Sequence, residues 1–271
     1  MEEKNTPMLE IRGITKIFHG GTINEKRALD NLSLTINRGD FITVIGGNGA
    51  GKSTLMNALT GVFPLDEGEI ILDGKDITFL PEHRRARYFG RVFQDPMMGT
   101  APNMEIAENL SLAYRRDKRH GLRWEISAKE RELYAKELAR LGLGLEERMS
   151  SKVGLLSGGQ RQALTLLMAT LVQPKMLLLD EHTAALDPKT AAKVLEITEE
   201  IVAEAGLTTL MVTHNMRDAI EHGNRLIMLK DGKVILDIAG EEKKNLTVET
   251  LLAMFSRVSG EEFASDRALL S

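Results

Sequence analysis

One glycine-rich segment, residues 46–54, constrains this chain more than any other feature of its sequence. It fits the pattern G-x-x-x-x-G-K-[ST]. Residues 41–45 before it are mostly β-branched or aromatic, as in a buried strand, and apolar residues recur at helical spacing over residues 52–59. The segment itself consists of Gly46, Gly47, Asn48, Gly49, Ala50, Gly51, Lys52, Ser53 and Thr54. The pattern predicts a strand, a loop that binds the phosphate groups of a nucleotide, and a helix.

The residue types in this segment suit phosphate chemistry. Glycines allow positive φ angles and a close approach of the backbone, so that successive N–H groups converge on the phosphates at a helix N-terminus. Lys52 would reach the β- and γ-phosphates, and the Ser53 hydroxyl would be a ligand of Mg²⁺. The alternative is a glycine-rich turn that only caps a helix. The strand and helix on either side favour phosphate binding, although the motif alone does not indicate which nucleotide is bound or for what use.

Composition excludes several other classes of protein. The 271 residues are enough for one large domain or two modest ones, and a net charge of -4 does not favour a nucleic acid as a partner. The chain has no cysteine, which excludes disulfides, thiolate metal sites and cysteine nucleophiles. Its most apolar window, residues 163–172, is shorter than the about 18 apolar residues expected of a membrane span. No secretory signal is visible at the start, so we expect a cytoplasmic location.

The first half of the chain predicts an α/β core with two additions. Residues 8–18 and 29–36 largely alternate between apolar and polar, which predicts antiparallel strands joined by a hairpin loop at 20–27. Residues 88–93 predict a strand that delivers Gln94. From 97 to 154 the pattern is helical, with a capping box at Ser127 and Glu130. We therefore expect a P-loop NTPase core with an antiparallel β subdomain and an inserted α-helical subdomain.

The second half places polar residues at the ends of predicted strands and helices. Residues 156–160 precede a helix, so Ser157 is predicted to be its N-cap, with glycine N–H groups beside it. The apolar strand at 176–179 ends in Asp180 and Glu181, at the edge where ligands bind in open α/β sheets. The strand at 208–213 ends at His214, which in isolation is more typical of a structural histidine. The two carboxylates are thus placed where such a sheet holds its ligand.

Taken together, these positions resemble the nucleotide-binding subunit of ATP-binding cassette (ABC) transporters, from residue 8 to about residue 237. Residues 46–54 match Walker A, 156–160 match the LSGGQ signature, 176–180 match Walker B and 184–187 match the D-loop, while Gln94 and His214 match the Q-loop glutamine and the switch histidine. Walker A occurs in many NTPases, whereas LSGGQ between a Q-loop and Walker B is highly specific. The resemblance implies the ABC ATPase fold, with a catalytic core at about 1–94 and 155–240, a helical subdomain at about 95–154, and a C-terminal helix and tail at 241–271.

The resemblance also implies a role for each site residue, with ATP and Mg²⁺ as the bound groups. Asp180 would hold Mg²⁺ through water, with Ser53 and Gln94 completing the metal's surroundings. Glu181 would be the general base, and His214 would contact the γ-phosphate and orient that carboxylate. The residues implied in catalysis are Glu181, His214 and Lys52, and those implied in ATP binding are Phe18, Gly46, Gly47, Asn48, Gly49, Ala50, Gly51, Lys52, Ser53, Thr54, Gln94, Ser157, Gly158, Gly159 and Gln160.

Three features of the sequence each have more than one interpretation. Considered on its own, Phe18 is best interpreted as a strand core residue, whereas the resemblance implies that it stacks on adenine. His182 stands where the family usually has proline, so the loop there is expected to be less rigid. The histidine is either a neutral substitution, the favoured interpretation, or a pH sensor. A basic segment at 115–123, beside Trp124, is either a solvated loop, which is favoured, or a site for an anionic partner such as lipid headgroups.

The resemblance implies partners that the chain itself does not contain. The helix over residues 157–172 would be about 22 Å long, so we do not expect Ser157 to reach its own chain's phosphate. In the family, two subunits pair head to tail, so we expect a homodimer or a pair with a similar ATPase. We also expect separate integral membrane permease subunits, a solute-binding protein, and a peripheral location on the inner face of the membrane. Import of a small solute such as an amino acid is favoured. An exporter or lipoprotein-extraction system and a soluble ATPase of the Fe–S assembly type remain alternatives.

Overall fold

The computed structural model describes residues 6–116 and 126–259. Its strands are, in chain order, β1 (Leu9–Phe18), β2 (Lys26–Ile36), β3 (Phe41–Ile45), β4 (Glu67–Leu72), β5 (Lys75–Asp76), β6 (Phe89–Val92), β7 (Met176–Asp180), β8 (Thr208–Val212), β9 (Arg225–Lys230) and β10 (Lys233–Ala239). Its helices are α1 (Lys52–Thr60), α2 (Glu82–Arg85), α3 (Ile106–Tyr114), α4 (Ala128–Ala139), α5 (Gly158–Thr170), α6 (Pro188–Ala205), α7 (Met216–Glu221), α8 (Gly240–Lys244) and α9 (Val248–Ser259). They divide between a first unit, Met1–Ala86 with Leu207–Ser271, and a second unit, Arg87–Gly206.

β3 is an inner strand of the mixed sheet of the first unit, where the order is β10-β9-β3-β8. It pairs in parallel with both β8 and β9, while β10 pairs antiparallel with β9. All five residues of β3 are buried, which accounts for its unbroken run of apolar and β-branched side chains. α1 follows β3 after the glycine loop and buries Leu55, Met56 and Leu59. The strand–loop–helix prediction is therefore confirmed.

The predicted antiparallel strands form a second sheet in the first unit, in the order β2-β1-β4-β5. The β1–β2 register runs from Leu9 opposite Ile36 to Phe18 opposite Lys26. β2 begins at Lys26, earlier than the sequence pattern predicts, because two exposed charged residues, Lys26 and Arg27, continue the ladder up to the turn of the hairpin. The sequence pattern missed them because they carry no apolar signal.

In the second unit, β6 and β7 pair in parallel, with Phe89 opposite Met176 and Val92 opposite Leu179. α5 lies close against β6, since a Cβ added to Gly90 would be 2.5 Å from the carbonyl oxygen of Ala169. The helical pattern predicted over residues 97–154 is confirmed by α3, α4 and two short 3-10 turns. The domain boundaries expected from the resemblance stay a prediction.

The C-terminal helix α9 is amphipathic, as the sequence predicts, and packs in the first unit. Leu251 and Phe255 join a buried cluster with Leu226 and Met228 of β9. In the described part of the chain, no helix has both the length and the apolar character that a membrane span requires.

Candidate functional site

The glycine loop between β3 and α1 has a shape that only glycines allow. Gly46, Gly49 and Gly51 have φ angles of 152°, 80° and 106°. A Cβ at Gly46 would lie 2.3 Å from the carbonyl oxygen of Leu229, and one at Gly51 would lie 2.7 Å from that of Ala28. The loop is thus enclosed by the backbone of β9 and β2, which cannot move aside as a side chain can.

The start of α1 is open to an anion. Its N-cap is Gly51, no side chain caps it, and its first turn carries no acidic residue. The first N–H groups of a helix have no intrahelical acceptor and carry a partial positive charge, so an uncapped N-terminus favours an anion such as phosphate. Among the described residues, no atom lies within 4 Å of the position that a Cβ would take at Gly47, so the loop leaves space there. The residues present therefore fit a phosphate group.

Lys52 and Ser53 begin this helix with different exposure. Lys52 is only 6% exposed, and its Nζ donates hydrogen bonds to the carbonyl oxygens of Gly46 at 2.6 Å and Gly47 at 3.2 Å. Its charge is therefore held within the loop. Ser53 is exposed, so its hydroxyl is accessible beside the helix N-terminus.

Phe18, the proposed adenine-stacking residue, is half-buried at the end of β1. Its ring packs edge to face on Phe63, with centroids 5.4 Å apart, and the ammonium of Lys16 lies 5.6 Å from the Phe18 centroid. Part of the ring therefore serves the packing of the first unit, and part is accessible.

His214 lies on a turn with a fixed backbone. The preceding residue, Thr213, donates its N–H to Val44 of β3 and accepts a hydrogen bond from the N–H of Asn215. The Asn215 side chain caps α7 by accepting from the N–H groups of Arg217 and Asp218. Burial raises the pKa of Asp218 above its ordinary value. His214 itself is half-buried, so its imidazole is held near the surface by rigid neighbours.

Asp180 ends β7 in the second unit and forms an ion pair that the sequence analysis missed. The Arg91 Nη2 lies 3.0 Å from Asp180 Oδ2, and each side chain is 15% exposed. The guanidinium also lies 4.6 Å from the centroid of Phe93. The sequence does contain a signal for this ion pair. Arg91 is a basic residue inside the otherwise apolar strand before Gln94, and a charge in a buried strand needs a partner.

Glu181 and His182 shape the loop that follows β7. Glu181 has a φ of 48°, in the left-handed region that costs a non-glycine residue about 1–3 kcal/mol and is common at functional sites. His182 is 2% exposed, and its Nε2 lies 3.2 Å from the hydroxyl of Thr198 on α6. That hydroxyl donates to the carbonyl oxygen of Val194, so it accepts from the histidine. This hydrogen bond ties the loop to α6, and a proline could not form it.

The signature residues form the start of α5 as predicted. Ser157 is the N-cap, its hydroxyl accepts from the N–H of Gln160, and the Gln160 side chain accepts from the N–H of Ser157. A Cβ at Gly159 would lie 2.1 Å from Thr190 Cγ2, and one at Gly158 would lie 3.2 Å from Leu186 Cδ2. These glycines let α5 pack closely on the start of α6, and Ser157 remains exposed.

Gln94 is exposed and lies two residues after the end of β6 at Val92. A second glutamine, missed from the sequence, lies beside it: Gln162 of α5 is fully buried and its Nε2 donates to the carbonyl oxygen of Phe93 at 3.1 Å. Helix α5, which begins at the signature residues, is therefore hydrogen-bonded to the backbone immediately before Gln94. After it, Asp95 accepts a hydrogen bond from the N–H of Met97, which fixes the turn.

Asp187, at the end of the D-loop, caps α6 by accepting from the N–H of Thr190. Hydrogen bonds from the side chain and backbone of Thr190 lower the pKa of Asp187 below its ordinary value. Its carboxylate therefore stays ionised to lower pH than an unpartnered one.

Two arginines of the basic segment are engaged within the second unit. Arg115 pairs with Glu130 at 2.9 Å, and Arg116 donates to the carbonyl oxygen of Val172. Burial raises the pKa of Glu130, but hydrogen bonds from Ser127 and Arg115 outweigh it and hold the pKa below its ordinary value. The remaining basic residues, Lys118, Arg119 and Arg123, and Trp124 lie outside the described residues.

The chain is similar to several known proteins. The family model described as ABC transporter matches residues 29–184. A tyrosine transport ATP-binding protein of Clostridioides difficile (strain R20291) is 47% identical over 92% of this chain and 98% of its own length. A spermidine/putrescine import ATP-binding protein, PotA of Pasteurella multocida (strain Pm70), is 36% identical over 90% of this chain, which spans 63% of that longer relative.

A solved structure agrees in fold. The dimeric, post-hydrolysis ATP-binding cassette MJ0796, bound to ADP and Pi, matches with a TM-score of 0.73 and 30% identity, over 86% of this chain and 98% of that one. The predicted fold class is confirmed by this match.

Proposed function

The chain belongs to the ABC transporter family, and from this premise we propose that it is the ATPase subunit of an importer whose membrane-spanning domains are separate polypeptides. As a member of that family it binds ATP with Mg²⁺ and hydrolyses the ATP. The observation that carries the proposal is the 47% identity with a tyrosine transport ATP-binding protein over nearly the whole length of that relative. We propose an amino acid as the solute, and tyrosine is the first to test.

The glycine loop supplies most of the phosphate binding. Its residues, together with the N–H groups at the start of α1, surround the phosphates, and the Lys52 ammonium turns from the loop carbonyl oxygens towards them. This role is supported by the uncapped N-terminus of α1 and by the burial of Lys52. Phe18 stacks on the adenine ring through the accessible part of its own ring.

The donor set suits a magnesium ion, because a hydroxyl, an amide oxygen and a carboxylate are the oxygen ligands that Mg²⁺ prefers. Ser53 and Gln94 would bind the ion, and Asp180 would hold it through water. When bound, Mg²⁺ neutralises charge on the phosphate oxygens. Arg91 fixes the orientation of the Asp180 carboxylate through the ion pair at 3.0 Å.

Glu181 is proposed as the general base. Its carboxylate accepts the proton of the attacking water, and His214 contacts the γ-phosphate and orients that carboxylate. The strained backbone of Glu181 supports this role, since strain persists where the surrounding structure and function require it.

The signature residues act on the ATP of a second subunit. Ser157, Gly158, Gly159 and Gln160 lie at the start of α5, and the exposed Ser157 hydroxyl is accessible to a partner. Two copies, or this chain and a similar ATPase, close head to tail with two ATP molecules between them. The similarity to a dimeric cassette supports this arrangement.

The permease docks through a cytoplasmic helix, and a solute-binding protein delivers the solute to it. The exposed apolar side chains of Met97 and Met98, which follow Gln94, support a docking surface in this segment. We accordingly propose that the chain lies on the inner face of the membrane, held there by its permease.

Substitution Glu181→Gln tests the catalytic assignment. The amide cannot accept the proton of water, so we expect ATP turnover to fall about 10²–10⁴-fold while ATP binding persists and an ATP-stabilised dimer accumulates. The measurements are phosphate release and size-exclusion chromatography with light scattering. Glu196→Gln, the same chemical change on an exposed face of α6, is the control. Wild-type turnover in Glu181→Gln would exclude Glu181 as the base.

Isolation of the chain from its native cells in mild detergent tests the transport proposal. We expect mass spectrometry to identify an integral membrane permease together with a solute-binding protein, whose tyrosine affinity is then measured. Recovery of a permease without a solute-binding protein would favour the exporter or lipoprotein-extraction alternative. Recovery of soluble assembly proteins alone would contradict transport and favour an ATPase of the Fe–S assembly type.

A further inference from the structure

A second lysine lies against the glycine loop, outside the motifs of the family. Lys26 is the first residue of β2, and its Nζ is 3.3 Å from the position that a Cβ would take at Gly49. In the β1–β2 register, Lys26 lies directly opposite Phe18. One cross-strand pair therefore brings together the proposed adenine-stacking ring and an ammonium group at the edge of the phosphate loop.

The backbone around Lys26 is fixed. The hairpin before it is closed by hydrogen bonds from the N–H of Thr22 to the carbonyl oxygen of His19 and from the N–H of Glu25 to that of Thr22. The Glu25 carboxylate also accepts from the N–H of Gly21. Because the strand pairing resumes at Lys26, the direction of its side chain is set by the ladder rather than by a loose loop.

The charge of Lys26 is available, unlike that of its neighbours. Lys16 pairs with Asp66 at 3.2 Å, and both Arg27 and Lys233 pair with Asp30, at 2.8 and 2.9 Å. Among the described residues, 6–116 and 126–259, the side chain of Lys26 forms no hydrogen bond or ion pair. An exposed lysine whose ammonium adjoins a phosphate-binding loop, with no carboxylate to neutralise it, suits an anionic ligand at that loop.

We propose that Lys26 is a nucleotide-binding residue whose ammonium contacts the phosphate chain of ATP at the Gly49 edge of the loop. The inference rests on the proposed function, in which the loop binds ATP. Since Lys26 is exposed, its attraction to the phosphates is screened by solvent and salt, so its contribution is smaller than that of the buried Lys52. The contribution of Lys26 to binding also depends on the charge of the ligand. It is therefore greatest for ATP, smaller for ADP and absent for adenosine.

Substitution Lys26→Met in the full chain tests this contact, because methionine keeps an unbranched side chain and removes the charge. Isothermal titration with ATP, ADP and adenosine is the measurement. We expect the Kd for ATP to rise about fivefold at low ionic strength, the Kd for ADP to rise less, and that for adenosine to be unchanged. The effect on ATP is expected to shrink at about 0.5 M salt, where charges on the surface are screened within a few ångströms.

Two matched variants separate a local contact from a change of net charge. Arg27→Met removes one positive charge from the next residue, which pairs with Asp30, and we expect it to bind ATP as the wild type does. Lys26→Arg keeps the charge, and we expect it to retain most of the affinity. Equal ATP binding by Lys26→Met and the wild type, or an equal loss in Arg27→Met, would overturn the proposal. Failure of the wild type to bind ATP would instead overturn the nucleotide-binding function on which the proposal rests.

Discussion

Two glycine-rich segments each begin a helix in this protein, and they are built differently. The loop before α1 uses left-handed glycines, has no side-chain cap, and is enclosed by backbone carbonyl oxygens of β2 and β9. The segment that begins α5 has glycines of ordinary helical conformation, a capping box of Ser157 and Gln160, and side chains of the D-loop and α6 against its glycines. Glycine therefore serves backbone conformation in the first segment and close packing in the second.

This difference between the two helix starts indicates how each segment would bind a nucleotide. In the first, the N–H groups at the start of the helix remain for a ligand, so the segment is suited to bind a phosphate within its own unit. In the second, the cap already satisfies part of the helix N-terminus from within the chain, and the exposed residue is Ser157. The second segment is thus suited to complete a site on another subunit rather than to form one alone.

Substitution Gly51→Ala is expected to have the largest effect, because the obstacle there is backbone. A Cβ would lie 2.7 Å from the carbonyl oxygen of Ala28, and the φ of 106° is unfavourable for alanine. Backbone strain and overpacking each cost about 1–3 kcal/mol, so we expect the free energy of unfolding to fall by about 2–6 kcal/mol and ATP binding to be lost. Urea unfolding and ATP titration measure both effects.

Gly47→Ala is the control in the same loop. No atom lies within 4 Å of the added Cβ, so we expect the free energy of unfolding to stay within about 0.5 kcal/mol of the wild type. If Gly51→Ala were as stable as Gly47→Ala, the backbone around the loop would have to be adaptable, and the contrast between the two segments would disappear.

Substitution Gly159→Ala is expected to have a smaller effect that can be reversed. The added Cβ would lie 2.1 Å from Thr190 Cγ2, and such overpacking costs about 1–3 kcal/mol of unfolding free energy, partly offset by the better helix propensity of alanine. Thr190→Ser removes that methyl group and keeps the hydroxyl beside Asp187. We therefore expect the double variant to recover its stability in urea unfolding.

ATP turnover by the same double variant shows whether Gly159 has a role besides packing. Recovered stability with low turnover would support a contact between this glycine and the ATP of the partner subunit. Gly158→Ala, where the nearest atom is 3.2 Å away at the end of a leucine side chain, is the milder control. If the double variant stays as unstable as Gly159→Ala, a group other than the Thr190 methyl must obstruct the Cβ added at this position.

Local patterns predicted the elements and motifs well, because they depend on neighbours in sequence. The strand at 41–45 and the caps at Ser127 and Ser157 follow from hydrophobic runs and from side chains that reach the next turn. Helix ends were less accurate, since α5 ends at Thr170, two residues before the predicted end.

Contacts between distant segments could not be predicted in this way. Arg85 lies in a run of basic residues that resembles a solvated face, yet it is 2% exposed and donates to the carbonyl oxygens of Ala58, Leu59, Thr78 and Leu80. Burial lowers the pKa of Arg85. Its acceptors come from the end of α1 and from the segment before α2, and only the fold brings them together. The ion pair of Arg91 with Asp180 and the contact of His182 with Thr198 were missed for the same reason.

Substitution of Ser157 is expected to lower stability less than Gly51→Ala or Gly159→Ala, and it tests the second segment directly. Ser157→Ala removes the cap and makes the start of α5 resemble that of α1, so we expect a loss of about 1 kcal/mol in unfolding free energy with unchanged ATP binding by the monomer. Ser157→Arg adds a bulky cation at the exposed position. We expect it to bind ATP as a monomer but to prevent the ATP-stabilised dimer when combined with Glu181→Gln, as measured by light scattering. Loss of ATP binding by monomeric Ser157→Arg would place the signature at its own chain's nucleotide, and the two glycine segments would then serve one site in one subunit.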